Sequence, residues 1–64
     1  MNEAFMAFLR EKRIDPLRWM AAFPPHERSK HEKAFQLLGK AAYEQRYKFF
    51  FNRWRRDYPL SDSV

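Results

Sequence analysis

The sequence predicts an all-α fold, a compact bundle of three or four short helices around an aromatic-rich core. The 64 residues contain one glycine and four prolines, which is typical of helices joined by proline corners and not of β-hairpins. No segment alternates polar and apolar residues over the length of a strand. Aromatic residues are 19% of the chain, so large rings can supply the core that a short domain needs. We expect one domain over residues 1–60 and a frayed tail over 61–64.

The first helix is predicted to begin at Asn2, a good N-cap residue. Glu3 follows in the first turn, where the helix dipole favours a carboxylate. The side expected to face the core has the spacing i, i+3, i+4 and consists of Phe5, Phe8 and Leu9. We expect the helix to fray near Arg13, since cations suit a helix C-terminus.

The segment IDPLRW carries the strongest local signal for a helix start. Asp15 is placed as the N-cap and Pro16 as the first helical residue, where the missing N–H of proline costs nothing. Ile14 and Trp19 have the spacing of a hydrophobic staple. A short second helix follows, which has to end before the Pro24–Pro25 pair because proline disfavours helical backbone in the preceding residue.

The third helix can start at either of two places. One is Pro25, and the other is Ser29, which would form a capping box with Glu32. In both cases one face is shared by His31, Ala34, Phe35 and Leu38. Gly39 is the predicted stop, since glycine is free to adopt a left-handed C-cap.

The fourth helix contains the segment KFFFNRWRR. Its predicted core side follows steps of four, three, four and four residues and consists of Tyr43, Tyr47, Phe50, Trp54 and Tyr58. Phe51 lies at the edge of this side, and Phe49 points away from it, among polar residues. Asn52 offers an alternative, because it could cap a new turn and rotate the residues that follow. The predicted partners of this side in the core are Phe5, Phe8, Leu9, Trp19, Phe35 and Leu38.

The C-terminal part has a recognisable order of residues, which is Gln45, Phe49, Asn52, Arg55, Arg56, Tyr58, Pro59 and Leu60. Together with the N-terminal helix and the Ile-Asp-Pro turn, this order resembles short single-domain bacterial helical proteins of unknown function. A proline often follows the asparagine in such sequences, whereas Arg53 stands at that position here. The resemblance spans most of the chain and implies a small helical fold, with no activity, cofactor or partner.

The net charge of +5 is concentrated in one segment. Residues 40–56 contain six basic side chains against the single acid Glu44, so the rest of the chain is close to neutral. An outward ring among arginines matches the composition of interaction hot spots. The leading hypothesis is therefore a non-enzymatic protein that binds a protein partner or a second copy of itself. The candidate surface consists of Arg46, Phe49, Arg53 and Arg56.

A nucleic-acid-binding protein is the alternative hypothesis, because basic side chains neutralise phosphates and aromatic rings stack on bases. Its candidate contacts are Lys48, Arg53, Arg55 and Arg56. The sequence has none of the aromatic strand motifs, GXXG loops or zinc-binding spacings of known nucleic-acid-binding modules. Arginines beside rings can also have a purely structural role, in which they stack on aromatic rings and cover apolar surface.

The sequence does not favour catalysis, a metal or a cofactor. His26 and His31 in the segment HERSKH are five positions apart, which turns them by about 140° around a helix, whereas the zinc motif H-E-x-x-H needs four. The chain has no cysteine, its serines have no neighbouring base, and its one glycine cannot make a phosphate-binding loop.

No segment approaches the roughly 20 apolar residues of a membrane-spanning helix. A role at the membrane surface is an alternative for the basic, aromatic fourth helix, but the apolar side of that helix is needed by the rings of the other helices. We therefore expect no membrane insertion. The lack of cysteine and of an export signal favours a cytoplasmic protein.

Overall fold

Four helices make up the structure, a computed structural model that describes residues 3–61. They are α1 (Glu3–Glu11), α2 (Pro16–Ala22), α3 (Pro25–Leu38) and α4 (Lys40–Asp57). The predicted all-α class is confirmed. The predicted N-cap Asn2 and positions 62–64 of the predicted tail lie outside the described residues.

Helix α1 buries the predicted residues Phe5, Phe8 and Leu9. It ends at Glu11 in a fixed turn, and the predicted fraying near Arg13 is wrong. The Arg13 N–H donates to the Arg10 carbonyl and the Ile14 N–H to the Leu9 carbonyl, both at 2.9 Å, which is the Schellman pattern. Ile14 and Leu9 are both fully buried, as the hydrophobic contact of this motif requires.

Helix α2 begins as predicted. The Asp15 carboxylate accepts a hydrogen bond from the Leu17 N–H at 3.0 Å, and Pro16 occupies the first helical position. Trp19, on the core side, is fully buried. The helix ends before Phe23, whose N–H donates to the Trp19 carbonyl. A side-chain cap therefore fixes the start of this short helix, and a backbone hydrogen bond closes its last turn.

Helix α3 begins at Pro25, so Ser29 lies in an exposed position inside the helix and not at its start. Phe35 packs against the core as predicted. The prediction that Leu38 is a core residue is wrong, since Leu38 is 39% exposed in the last turn, beyond the part of α3 that meets the rings. Gly39 then separates α3 from α4 with φ 88° and ψ 163°, a conformation that is essentially restricted to glycine.

Helix α4 turns the predicted side to the core at Tyr43 and Trp54, and Tyr47 and Tyr58 pack against it, but the prediction is wrong at one position. Phe51 is buried, whereas Phe50 is 46% exposed, so the assignment of Phe50 to the core is wrong. The backbone of Tyr47 departs from helical geometry at φ −111° and ψ 17°, which kinks the helix before these rings. Asn52 starts no new turn, because the helix continues to Asp57.

Packing against α1 explains why Phe51 is buried. The Phe8 and Phe51 ring centroids are 5.6 Å apart. On the same side of α4, Glu44 pairs with Lys12, the residue that follows α1. The residues that α4 contributes to the buried core are therefore Tyr43, Phe51 and Trp54, and Phe50 is left partly exposed.

The core is a network of aromatic rings around Trp19. Its indole stacks on Phe23 with the centroids 4.4 Å apart, and the Phe5 and Trp54 rings meet it edge-on at 5.3 and 5.5 Å. Such pairs contribute about 0.5–1.5 kcal/mol beyond the burial of their area. Within residues 3–61 the buried Trp19 Nε1 has no hydrogen-bond partner. The rings of four helical segments thus meet in one cluster.

The segment after α4 closes the fold by pairing with the turn between α1 and α2. The Asp15 N–H donates to the Tyr58 carbonyl at 2.8 Å, and the Leu60 N–H donates to the Arg13 carbonyl at 3.1 Å. The Tyr58 ring also meets Phe23 at 6.1 Å. The segment after α4 is therefore tied to the turn between α1 and α2 beside the core.

Candidate basic and aromatic surface of helix α4

The side of α4 that faces α1 uses its charges within the fold. Lys40 pairs with Glu11 at 2.8 Å, and Glu44 pairs with Lys12. Arg55 is partly buried, and its guanidinium donates to the Lys12 carbonyl at 3.3 Å and to the Asn52 side-chain oxygen. These contacts give Arg55, a nucleic-acid contact in the alternative hypothesis, a structural role.

The opposite side of α4 carries the residues of the leading hypothesis. We call it the arginine face, and it consists of Arg46, Phe49, Arg53 and Arg56. Their spacing of three, four and three residues places them along one side of the helix, and all of them are exposed. Phe49 is 81% exposed. Within residues 3–61 no carboxylate forms an ion pair with these arginines.

Lys48 lies beside the arginine face and not on it. Its Nζ is 5.6 Å from the centroid of the Phe49 ring, within the range of a cation–π contact. Such a contact contributes about 0.5–1 kcal/mol at an exposed site, and the Phe49 side chain remains 81% exposed beside it. The ring is therefore held in a cationic environment on its helix.

A groove between α3 and α4, which the sequence did not indicate, adjoins the arginine face. We call it the α3/α4 groove, and its volume is about 420 Å³. Its aromatic side chains are Phe23, Tyr47, Phe50 and Trp54. Its polar side chains are Glu27, Lys30, His31 and Arg53. Tyr47, at the kink of α4, and the partly exposed Phe50 both line this groove, and a helical spacing rule that assumes a straight α4 does not indicate it.

His31 forms the polar floor of the groove. Its Nδ1 lies 2.9 Å from the hydroxyl oxygen of the buried Tyr43. Burial lowers the pKa of His31 below its usual 6.5, with a smaller raising effect from Glu27 and a smaller lowering effect from Lys30. Burial also raises the pKa of Tyr43, so its hydroxyl keeps its proton and can donate to a neutral imidazole.

The described part of the chain offers little for metal or membrane chemistry. Between Glu3 and Ser61 no three His, Asp or Glu side chains come together as a possible metal-binding group. His26 is exposed at the start of α3, away from the partly buried His31. None of the four described helices has the length and apolar character needed to cross a bilayer.

The chain matches no model of a protein family, no curated protein and no solved structure. The resemblance to short bacterial helical proteins therefore stays a prediction.

Proposed function

We propose that this protein is a non-enzymatic interaction protein that binds an acidic partner protein through the arginine face of α4. The observation that carries the proposal is the 81% exposure of Phe49 among arginines that have no carboxylate partner within residues 3–61. Most other rings of the chain pack in or against the core. Phe49 contributes little to that core, so its place on the surface suits contact with another molecule.

The arginine face combines two terms that favour binding. Burial of a phenylalanine side chain contributes roughly 1.5–3 kcal/mol, which is enough for one anchor residue. Guanidinium groups form paired hydrogen bonds with carboxylates, and these bonds are stronger than neutral ones. A ring at the centre with arginines around it is also the arrangement in which interface energy tends to concentrate.

A second copy of the chain fits this face less well than an acidic partner. In a two-fold symmetric dimer the same patch lies on both sides of the contact. Such a contact would bring Arg46, Arg53 and Arg56 of one copy close to the same residues of the other. Because like charges across an interface repel, we propose a different protein with a carboxylate-rich surface as the partner.

Nucleic acid remains the second candidate, because the unpaired arginines and the exposed ring also suit phosphates and bases. Arg55 is held by Lys12 and Asn52, so the contacts of this candidate reduce to Lys48, Arg53 and Arg56. The two candidates differ in their response to salt. For nucleic acid, the logarithm of the binding constant falls linearly with the logarithm of the salt concentration. The slope is about −0.7 to −0.9 for each phosphate contacted.

The test measures binding of the full chain to polyglutamate, to a short oligothymidine strand and to a short DNA duplex by calorimetry at increasing salt. We expect polyglutamate to bind and the Phe49→Ala variant to lose about tenfold in affinity. The Arg53→Gln variant should lose a similar factor. Arg10→Gln is the matched control, because Arg10 is an exposed arginine on α1, outside the arginine face.

Three outcomes separate the candidates. Binding to polyglutamate that depends on Phe49 and Arg53 supports the acidic protein partner. Binding to the DNA probes alone, with the linear salt dependence, would replace this proposal with the nucleic-acid candidate. Binding that Arg10→Gln weakens as much as Arg53→Gln would show attraction by net charge alone and contradict both.

A further inference from the structure

The α3/α4 groove has the size of a site for one or two side chains. Its volume of about 420 Å³ lies in the lower part of the range of small-ligand pockets, roughly 300–1,000 Å³. The Phe50 ring is 46% exposed and lies 5.9 Å from both the Tyr47 and the Trp54 ring centroids. An apolar group placed there would cover the exposed part of Phe50, which the core leaves open.

The charges around the groove favour an anionic neighbour. Lys30 on α3 and Arg53 on α4 are cationic, and Glu27 is the one carboxylate that lines the groove. The Glu27 Oε2 atom lies 4.0 Å from the Lys30 Nζ atom, so the charge of Glu27 is partly neutralised within α3. The groove therefore carries an excess of one positive charge on a chain whose net charge is +5. A cationic ligand of an aromatic cage would be repelled, although the rings alone could accept one.

The groove and the arginine face form a continuous surface. Arg53 belongs to both of them. Phe49 and Phe50 are consecutive residues on α4, so their side chains are separated by only about 100° around the helix axis. A segment that crosses α4 can therefore contact Phe49 and Arg53 and still place one side chain beside Phe50.

We infer that the α3/α4 groove receives a bulky apolar side chain from a carboxylate-rich segment of the partner protein. This inference rests on the proposed function and specifies the partner further: acidic residues contact Arg46, Arg53 and Arg56, and one aromatic or large aliphatic residue between them enters the groove. Charge attraction orients the segment, and burial of the apolar side chain against Phe50 determines which acidic segments bind tightly.

The experiment titrates the isotope-labelled full chain with three synthetic peptides and follows the binding by NMR. The first peptide has glutamates around one central tryptophan, the second has serine in place of the tryptophan, and the third has lysines in place of the glutamates. We expect the first peptide to bind at least about tenfold more tightly than the second, and the third to bind weakly. The chemical-shift changes caused by the first peptide should be largest at His31, Tyr47 and Phe50.

Two variants test the groove at side chains that are at least partly exposed. Phe50→Ser should remove the advantage in affinity that the tryptophan peptide has over the serine peptide. Lys30→Glu changes a side chain that is 65% exposed, and it should lower the affinity for the tryptophan peptide about tenfold. Leu37→Ser is the matched control, since Leu37 is 86% exposed and does not line the groove.

The outcomes distinguish this inference from the proposed function. Equal affinity for the tryptophan and serine peptides, with Phe49 and Arg53 still required, would overturn the groove inference and leave the acidic partner in place. Binding of neither glutamate peptide, with no response to polyglutamate, would overturn both. A lysine peptide that binds as tightly as its glutamate counterpart, or oligothymidine that shifts the same groove signals, would also overturn the groove inference.

Discussion

Two residues at helix ends have positive φ, but the cost of their backbone conformations differs. Arg13, with φ 66°, is the second residue after α1 and occupies the left-handed position of the Schellman turn, which is usually taken by glycine. Gly39, with φ 88° and ψ 163°, joins α3 to α4 in a region that side chains almost never reach. A Cβ built on Gly39 would meet no atom within 4 Å, so any cost of substitution comes from the backbone alone.

We predict opposite effects for substitutions at these two positions. Gly39→Ala should lower the free energy of unfolding by about 1–3 kcal/mol, because alanine is strained at this φ and ψ. Arg13→Gly should relieve about 1–2 kcal/mol of strain and lose about 0.4–1 kcal/mol to greater freedom of the unfolded chain. Urea unfolding of both variants measures the difference. A loss on Arg13→Gly would show that the side-chain contacts of Arg13 outweigh its strain.

His31 makes the stability of the fold depend on pH. Because burial lowers its pKa below 6.5, the unfolded chain takes up the proton more readily than the folded one. The stability that depends on neutral His31 is fully present above pH 6.5, and it is lost as the pH falls through 6.5 toward the lower pKa of the folded state. The groups facing the imidazole are Glu27, Lys30 and the Tyr43 hydroxyl, with Arg53 across the groove.

We predict a fall in the free energy of unfolding below pH 6.5, with a slope of at most about 1.4 kcal/mol per pH unit for one proton. The His31→Gln variant should flatten this slope, because glutamine does not titrate. His26→Gln serves as the control, since His26 is exposed at the start of α3. The interpretation fails if His26→Gln removes the slope and His31→Gln retains it. Urea unfolding at several pH values gives the answer.

At the scale of the element, α4 shows why three consecutive phenylalanines have different roles. Phe49 is 81% exposed, Phe50 is 46% exposed and Phe51 is 3% exposed. One residue advances a helix by about 100°, so adjacent rings must point in different directions. The kink at Tyr47 and the packing of Phe51 on Phe8 determine which ring faces the core.

The alanine series across these rings should follow their burial. Phe51→Ala should cost about 3–5 kcal/mol, as for a large-to-small change in a core. Phe50→Ala should cost about 1 kcal/mol, since close to half of its ring is already in water. Phe49→Ala should stay within about 0.5 kcal/mol of the parent chain. Chemical unfolding monitored by circular dichroism measures all three, and a larger loss for Phe50 than for Phe51 would contradict this arrangement.

The start of α2 and the end of α3 could be predicted from the sequence, but the burial of Phe51 in place of Phe50 on α4 could not. The start of α2 depends on Asp15 and Pro16, and the end of α3 depends on Gly39, all of which act on their own backbone. The side of α4 that is buried depends on where α1 lies. The spacing of a straight helix predicts that Phe50, and not Phe51, faces the core. The exposed Phe49 was predicted because it lay far from either possible core side.

At the scale of the whole molecule, one aromatic cluster joins the helices and the final segment closes it. The hydrogen bonds of Asp15 with Tyr58 and of Leu60 with Arg13 connect positions more than 40 residues apart in the chain. The charged side chains of α4 fall into two groups on opposite sides of the helix. Those between α1 and α4 are paired, and those on the arginine face have no carboxylate partner within residues 3–61.

We therefore predict that Arg55 contributes to the stability of the fold, whereas the arginines of the arginine face contribute to binding. Arg55→Gln should lower the free energy of unfolding by about 1–2 kcal/mol, because it loses charge-assisted hydrogen bonds to the Lys12 carbonyl and to Asn52. The triple variant Arg46→Gln, Arg53→Gln, Arg56→Gln should stay within about 1 kcal/mol of the parent chain. It loses the interaction of Arg56 with the helix dipole but also relieves repulsion among like charges.

The salt dependence of stability provides a second measurement of this division. Because salt screens repulsion between exposed charges, it should stabilise the parent chain more than the triple variant. Arg55→Gln should respond to salt as the parent does, since it leaves the arginine face intact. If the triple variant unfolds more easily than Arg55→Gln, the arginine face contributes to folding, and the argument that its charges serve a partner loses its basis.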